Sequence, residues 1–237
     1  MSPDVLPAED LPESPLHGFQ GDRAPVGTPV LPLGPSIAIT RDVGARGGEI
    51  ARRLGHRLGW QVFDRETLEY NLNDPENVAS LMAELPPEAN AWIESRMQWL
   101  REHGVMAANS TFESVAKLVL AIGARGEAVF VGRGAGFILP RETTLHVRVT
   151  APLPDRISYM TQFLRMPREE AAEQVRKRAE QRDQFLERCF HLPSDGVVYD
   201  LVLNSSALGE ELCAQLLITA LESKRPRRPY DSGEIVV

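Results

Sequence analysis

Residues 36–59 read SIAITRDVGARGGEIARRLGHRLG, and this stretch decides the fold. SIAIT (36–40) is a short apolar run bounded by Pro35 and a glycine-rich segment, which is the pattern of a buried strand. Gly44, Gly47 and Gly48 follow at once. From Gly47 to Leu58 the pattern is helical: Ile50, Leu54 and Leu58 recur every four residues on one face, arginines lie elsewhere, and Gly59 ends the run. Strand, glycine-rich turn and helix start make an anion cradle. The first helical amides have no partner within the helix, the positive end of the helix dipole lies there, and glycine lets the backbone close around an oxyanion. The lysine and the Ser/Thr of the common phosphate loop are missing. Arg41 or Arg46, which flank the turn, can supply the charge. The same residues also suit a plain left-handed turn between strand and helix, where glycine is least strained. The stretch alone leaves both open.

Outward from this stretch, strands and helices alternate. WQVF (60–63), AVFVG (128–132), TLHVRVT (144–150) and DLVLN (200–204) read as further strands. Helical patterns cover 64–73 and 76–103, the latter broken at Pro86-Pro87 and weighted by Trp92, Met97, Trp99 and Leu100. Ser110 to Glu113 form a capping box before a helix through about Ile122. Pro154 opens a helix to Leu164, Pro167 opens another to about Phe190, and Leu208, Leu212 and Leu216 mark a closing helix. The alternation predicts a parallel sheet covered on both faces, with ligands bound beyond the carboxyl ends of its strands.

Residues 1–35 hold eight of the eighteen prolines, lack apolar periodicity and are mostly acidic, so a disordered leader is expected there. A loose tail is expected over 224–237. The globular part is then 36–223. The net charge of −7 argues against broad binding to nucleic acid or anionic membrane. No apolar run approaches the roughly 18–20 residues that span a bilayer. Cys189 and Cys213 have neither a metal-ligand spacing nor a disulfide framework. The five histidines show no ligand spacing, and no metal-ligating residue is assigned. A reducing, cytoplasmic setting is the default expectation.

Three later stretches sit where chemistry is expected. VFVGRGAGFILP (129–140) delivers Arg133 between two glycines after a strand, where an arginine can grip a phosphate or simply stand beside a turn. VFDRETL (62–68) places Asp64 after the second strand. There it can hold magnesium or orient an acceptor, although Asp with Glu66 two residues on is also an ordinary helix start, and spacing alone favours the latter. In VRKRAEQRDQFLER (175–188), Arg178 and Arg182 share a helical face. This is either a solvated face paired with Glu180, Asp183 and Glu187, or a lid that carries charge over transferring phosphates; without further context the solvated face is the better fit.

Taken in order, TRDVGARGGEIARRLGHRLGW, VFDRETL, VFVGRGAGFILP, LHVRVTAPLPDRI, RKRAEQRD and YDLVLNSS resemble the cytidylate kinase-like family, P-loop proteins related to bacterial CMP kinases. The resemblance runs from about Ser36 to Leu221. It implies a P-loop kinase-like α/β fold: a three-layer sandwich of a five-stranded parallel sheet with helices on both faces, a helical acceptor-side segment over 76–126 and a helical lid over 154–190. It implies ATP and Mg²⁺ as cofactors and transfer of the γ-phosphoryl group to a small phosphorylated acceptor, provisionally CMP or dCMP, with the oligomeric state open. By position, Arg41, Gly44, Ala45, Arg46, Gly47, Gly48 and Glu49 fall on the phosphate loop, and Asp64 on the acidic residue near the acceptor. Arg133 falls on the arginine that contacts the acceptor phosphate in CMP kinases. Arg156, Arg178 and Arg182 fall on lid arginines, and Asp200 to Ser206 on the last strand and its turn. Three positions depart from the pattern. The loop arginine of the family falls at Gly48, with Arg46 two residues earlier. Gly134 stands where CMP kinases carry the aspartate that helps read cytosine, and Ala179 replaces a lid aspartate. A nucleotide- or phospholigand-binding module without catalysis is the rival expectation.

Overall fold

Ile37 and Ile39 turn to one side of the first strand and Ala38 to the other, and all three are buried. A strand apolar on both faces must lie inside a sheet with cover on each side. The computed structural model, which describes residues 31–107, 110–191 and 198–224, has this arrangement. Five parallel strands are ordered β2-β3-β1-β4-β5. They are β1 (Ser36–Arg41), β2 (Gln61–Phe63), β3 (Ala128–Val131), β4 (Thr144–Thr150) and β5 (Leu201–Asn204). The central β1 pairs with β3 through Ile37↔Val129 to Ile39↔Val131, and with β4 through Ser36↔Thr144 to Arg41↔Val149.

On one face lie α1 (Gly47–Leu58) and α9 (Ser205–Leu221). Their Ile50, Leu54, Cys213, Ala214 and Leu217 pack with Ile37, Ile39, Val129, Val147 and Leu203. On the other face α2 (Arg65–Asn73), α3 (Pro75–Ala83), α4 (Ala89–Glu102), α5 (Ser110–Arg125) and the short α6 (Ala135–Ile138) enclose Ala38, Phe63 and Phe130. The remaining helices, α7 (Leu153–Leu164) and α8 (Arg168–Cys189), form a hairpin round a small core of Met160, Ala171 and Val175. Val43, from the loop after β1, packs against that core. This is the P-loop kinase-like three-layer architecture, with the hairpin in the lid position.

The element order follows the sequence pattern closely. Gly59 ends α1 in the left-handed region (φ 70°), and the chain breaks between α3 and α4 around Pro86-Pro87. Met97, Trp99 and Leu100 are buried, as are both cysteines. Two features carry no expectation from the sequence. The short α6 has no periodic signal because it is a single turn. In α9 the leucines at 212 and 216 point to solvent (43% and 39% exposed), and the inward face is Cys213, Ala214, Leu217 and Leu221. Leucines lie on both sides of that helix, so their four-residue spacing does not tell which side faces the sheet, although Glu211, Gln215 and Thr219 follow one another on the solvent side. The Ser110 side chain of the capping box lies outside the described residues, as do the leader up to residue 30 and the tail from residue 225. Among the described residues, no helix is long and apolar enough to cross a membrane.

The orientation of α9 is directly testable. Leu217→Ala removes a fully buried side chain and should cost about 2–5 kcal/mol in chemical denaturation. Leu216→Ala, its neighbour on the exposed side, should cost less than about 1 kcal/mol. Equal losses would mean that the helix is rotated from this placement.

Candidate functional site

The site lies at the carboxyl edge of the sheet, where the loops after β1, β2 and β3 meet. Helix α1 begins without a cap: its N-cap residue is Arg46, no side chain accepts from its first turn, and the amides of Gly47, Gly48 and Glu49 have no backbone acceptor. Asp64 caps α2, Asp74 caps α3 and Asn204 caps α9, whereas α4, α6, α7 and α8 share with α1 the lack of a side-chain cap. Four orphan amides are the ordinary state of a helix start, and elsewhere in this chain side chains satisfy part of that demand. What marks α1 is that its open amides follow a glycine-rich turn, where the positive end of the dipole favours an anion.

Arg41 supplies the cation beside these amides. Its stem runs across the start of α1, so close that a Cβ on Gly47 would stand 2.8 Å from Arg41 Cβ and 3.0 Å from Cδ. Its guanidinium reaches the end of β3, where Nη1 lies 2.6 Å from the place of a Cβ on Gly132. Among the described residues the guanidinium donates no hydrogen bond and makes no ion pair. Burial pushes its pKa down, Asp64 partly offsets this, and Arg182 adds repulsion. An arginine stays charged under such conditions, so a partly buried cation whose stem crosses the start of α1 has no direct partner among the described residues.

Arg46 is placed differently. It takes a left-handed conformation (φ 59°), and its guanidinium pairs with Glu210 (3.1 Å) and lies 5.3 Å over the Tyr159 ring. Glu49 is likewise engaged, by Arg52 and by the Tyr159 hydroxyl, which donates at 3.4 Å. Ala45 is fully buried, and its carbonyl accepts from Ser205 Oγ at 2.8 Å. Ser205 thus fastens the loop to the start of α9.

Asp42 fastens it on the other side. Its carboxylate accepts from Thr150 Oγ1 (2.7 Å), Arg148 Nη2 (3.2 Å) and Arg182 Nη1 (3.4 Å). Burial opposes its ionised form, but the Thr150 hydrogen bond and the charges of Arg148, Arg156 and Arg182 outweigh this and hold its pKa below the usual carboxylate value. Arg182 also donates to the Arg41 carbonyl at 3.0 Å and to Asp183 at 2.8 Å. Arg156 donates to Val43 O (3.3 Å) and Ala151 O (3.0 Å). Arg178, one turn before Arg182, is exposed and pairs with no described residue. The structure therefore brings Arg182 to the loop and leaves Arg178 in solvent. Of the pairs expected on a solvated face, it forms that between Arg182 and Asp183.

Asp64 is the N-cap of α2: Oδ1 accepts from the Thr67 amide (3.0 Å) and hydroxyl (2.9 Å). Burial would raise its pKa, but these hydrogen bonds, the Glu66 amide and Arg41 lower it overall. Such a carboxylate is a weak base and a permanent negative charge. Arg133, also left-handed (φ 55°), pairs with Glu69 and lies 5.3 Å over the Phe185 ring. Glu69 pairs with Arg65 as well, at 2.9 Å. Of the described non-glycine residues in this strained region, two are the arginines of these loops, and such strain gathers at functional sites.

Sequence patterns had no means of finding Asp42 as a hub or Glu69 between two arginines, because their partners are distant in the chain. Ser205 was visible only as part of the NSS turn. No cluster of three or more His, Cys, Asp or Glu side chains able to hold a metal occurs among the described residues.

A model of the cytidylate kinase-like family matches residues 36–207, and the chain belongs to that family. Among solved structures, an uncharacterized protein from Eubacterium ventriosum superposes with a TM-score of 0.53 at 16% identity, over 79% of this chain and 98% of that one. TT1252 from Thermus thermophilus matches at 20% identity and a TM-score of 0.41, over 80% and 97%. A shikimate kinase from Acinetobacter baumannii, solved with shikimate, matches at 15% and 0.41, over 80% and 94%. Such identities speak to the fold alone. No curated protein matches.

Two outcomes follow from the loop geometry. Gly47→Ala should lower the thermal midpoint clearly, because its Cβ meets the Arg41 stem, whereas Gly48→Ala, with nothing within 4 Å, should not. Equal midpoints would show that Arg41 does not lie on Gly47. Because the folded pKa of Asp42 is depressed, its stabilising contribution is present above its ordinary value of 3.8 and is lost as pH falls below it. Asp42→Asn should therefore be less stable near neutrality and lose less stability on acidification than the wild type. Parallel curves in thermal unfolding against pH would contradict this.

Proposed function

From family membership and this geometry, we propose that the chain is a phosphotransferase, moving the γ-phosphoryl group of ATP to a small phosphorylated acceptor. The observation that carries this reading is the Arg41 guanidinium, desolvated, without a hydrogen-bond partner and beside the uncapped start of α1. The two form a phosphate cradle that works without the loop lysine. Gly44, Ala45, Gly47, Gly48 and Glu49 contribute backbone, and Arg41 contributes charge. Arg46, held by Glu210 and Tyr159, braces the loop from outside.

ATP with Mg²⁺ would supply the phosphoryl group and neutralise charge on its β- and γ-phosphates. Donor phosphates fit the open amides. For the metal, Asp64 is the ionised side chain closest in character to what is needed, since Mg²⁺ is commonly held by one or two carboxylates and substrate phosphates rather than a protein cage. Arg133 holds the acceptor phosphate, which takes the place of Glu69. That phosphate is already ionised, so no general base is required, and the lowered pKa of Asp64 suits an orienting role rather than proton abstraction. An acceptor phosphate oxygen forms the new bond to the γ-phosphorus as the bond to the β,γ-bridging oxygen breaks, and ADP leaves. Arg182 stands one exchange away from the transferring group: it can trade the Arg41 carbonyl for a phosphate oxygen, with Arg178 following on the same helix. The hairpin α7–α8 acts as the lid and α3–α5 as the acceptor-side segment. Catalysis of this kind is mostly positioning and electrostatics, which arginines supply. CMP and dCMP are the acceptors that the family puts first. The two buried, unpaired cysteines fit a reducing, cytoplasmic setting.

A second reading, a phospholigand-binding module without turnover, draws on Glu49. It stands where common phosphate loops carry the metal-holding hydroxyl, and its carboxylate is engaged by Arg52 and Tyr159. ADP release with ATP, Mg²⁺ and a panel of phosphorylated acceptors separates the two. Turnover is expected with at least one acceptor, and Arg41→Ala should lower kcat/KM by about 10²-fold or more. Arg46→Ala should change it by less than about threefold. ATP binding with no ADP formed from any acceptor would establish the second reading. Equal losses in the two variants would refute Arg41 as the cation of the loop.

A further inference from the structure

Gly134 follows Arg133 directly and has a positive φ of 72°. A Cβ at this position would lie 2.2 Å from both Cε2 and Cζ of Phe190. The ring of Phe190 therefore fills the space where a side chain at 134 would stand. The ring is buried (2% exposed) and packs edge-on to Phe112 at 4.9 Å and tilted on Phe137 at 4.8 Å. Phe112 also meets Phe185 edge-on at 5.7 Å, and Phe185 is the ring beneath the Arg133 guanidinium. Four aromatic rings from α5, α6 and the end of α8 thus form one continuous block beside Arg133.

The block is fixed in place as well as filled. Phe190 bridges to Met106 in antiparallel fashion, the Ala107 amide donates to Cys189 O at 2.9 Å, and the His191 amide donates to Val105 O at 3.2 Å. The end of α8 is stitched to the segment between α4 and α5, so Phe190 is part of the core and not a loosely held side chain. Packed interiors resist insertion of a further ring, because one would have to displace atoms already at contact distance.

A phosphorylated acceptor held at Arg133 has two directions for its remaining atoms. One runs inward past Gly134, and the aromatic block closes it. The other runs along α2, whose near face offers Arg65 and Glu69, a donor and an acceptor for hydroxyl groups. We propose that the acceptor is a small hydroxyl-bearing phosphate of the sugar-phosphate class rather than a nucleotide, and that Phe190 is the residue that excludes a nucleobase. This rests on the assignment of Arg133 to the acceptor phosphate. Phe190 touches no reacting atom in this scheme; it sets specificity by occupying volume. Glu69 releases Arg133 and Arg65 as the phosphate arrives and then faces the acceptor hydroxyls.

Isothermal titration of the full chain with CMP and with ribose 5-phosphate, the same sugar phosphate without the base at C1, isolates the contribution of the base. The wild type should bind ribose 5-phosphate at least about tenfold more tightly than CMP. Phe190→Ala, checked for folding by circular dichroism, should shift the preference toward CMP by about tenfold, because a ring can then enter beside Phe112 and Phe137. The comparison in the wild type needs no variant: CMP bound as tightly as ribose 5-phosphate, or more tightly, overturns the proposal. A folded Phe190→Ala protein with unchanged preference overturns it too. Arg133→Ala should abolish most of the affinity for ribose 5-phosphate. If it does not, the phosphate assignment of the preceding section is at fault, whatever the base preference. Binding of neither ligand to the wild type overturns both.

Discussion

The contact between Arg41 and Gly47 is the constraint on which the rest of the site depends. The common phosphate loop brings its cation from the first turn of the helix. Here the last residue of the strand beneath is Arg41, and its stem lies where a side chain at 47 would have to begin. The two solutions exclude each other sterically: a lysine at 47 cannot be added while Arg41 keeps its path. On the proposed reading the lysine is absent because Arg41 supplies the charge in its stead, and the helix start keeps its open amides.

Once the cation is on β1, the neighbouring residues follow from electrostatics. Arg41 and Arg182 approach the same loop and repel, and Asp42 and Asp64 hold them there. Val43 lies in the small core of α7–α8, Arg182 of α8 grips the Arg41 carbonyl, and Phe190 at the end of α8 is locked beside Arg133. One helix therefore touches both the loop after β1 and the loop after β3. Opening that hairpin must give up the Arg182 contacts, while the Phe190 end stays anchored in the larger core. The axis of any such motion lies toward the acceptor side.

Much of this was legible in the chain. The spacing of Ile50, Leu54 and Leu58, the glycines at 44 to 48 and the short runs at 128–132 and 144–150 gave the sheet and the position of the loop, because local patterns carry that information. Asp64 was legible as a helix cap for the same reason. What remained hidden depends on contacts between distant residues. Arg41 and Arg46 could not be told apart by position, since what separates them is Gly47 and Gly132 for one and Glu210 and Tyr159 for the other. Gly134 read as a lost aspartate, but nothing local shows that Phe190, fifty-six residues on, occupies its space. In α9 leucines on both the exposed side (212 and 216) and the buried side (217 and 221) concealed which face is buried.

The claim that α1 opens onto a phosphate can be tested at the atoms concerned. In a ¹⁵N–¹H correlation spectrum, glycine amides occupy their own region, so Gly44, Gly47 and Gly48 can be followed during titration with ATP and Mg²⁺. The account predicts that the Gly47 and Gly48 amides move downfield as they donate to phosphate oxygens, and that Arg41→Ala suppresses the shift. Saturable binding that leaves both amides unmoved would place the nucleotide elsewhere and contradict the account.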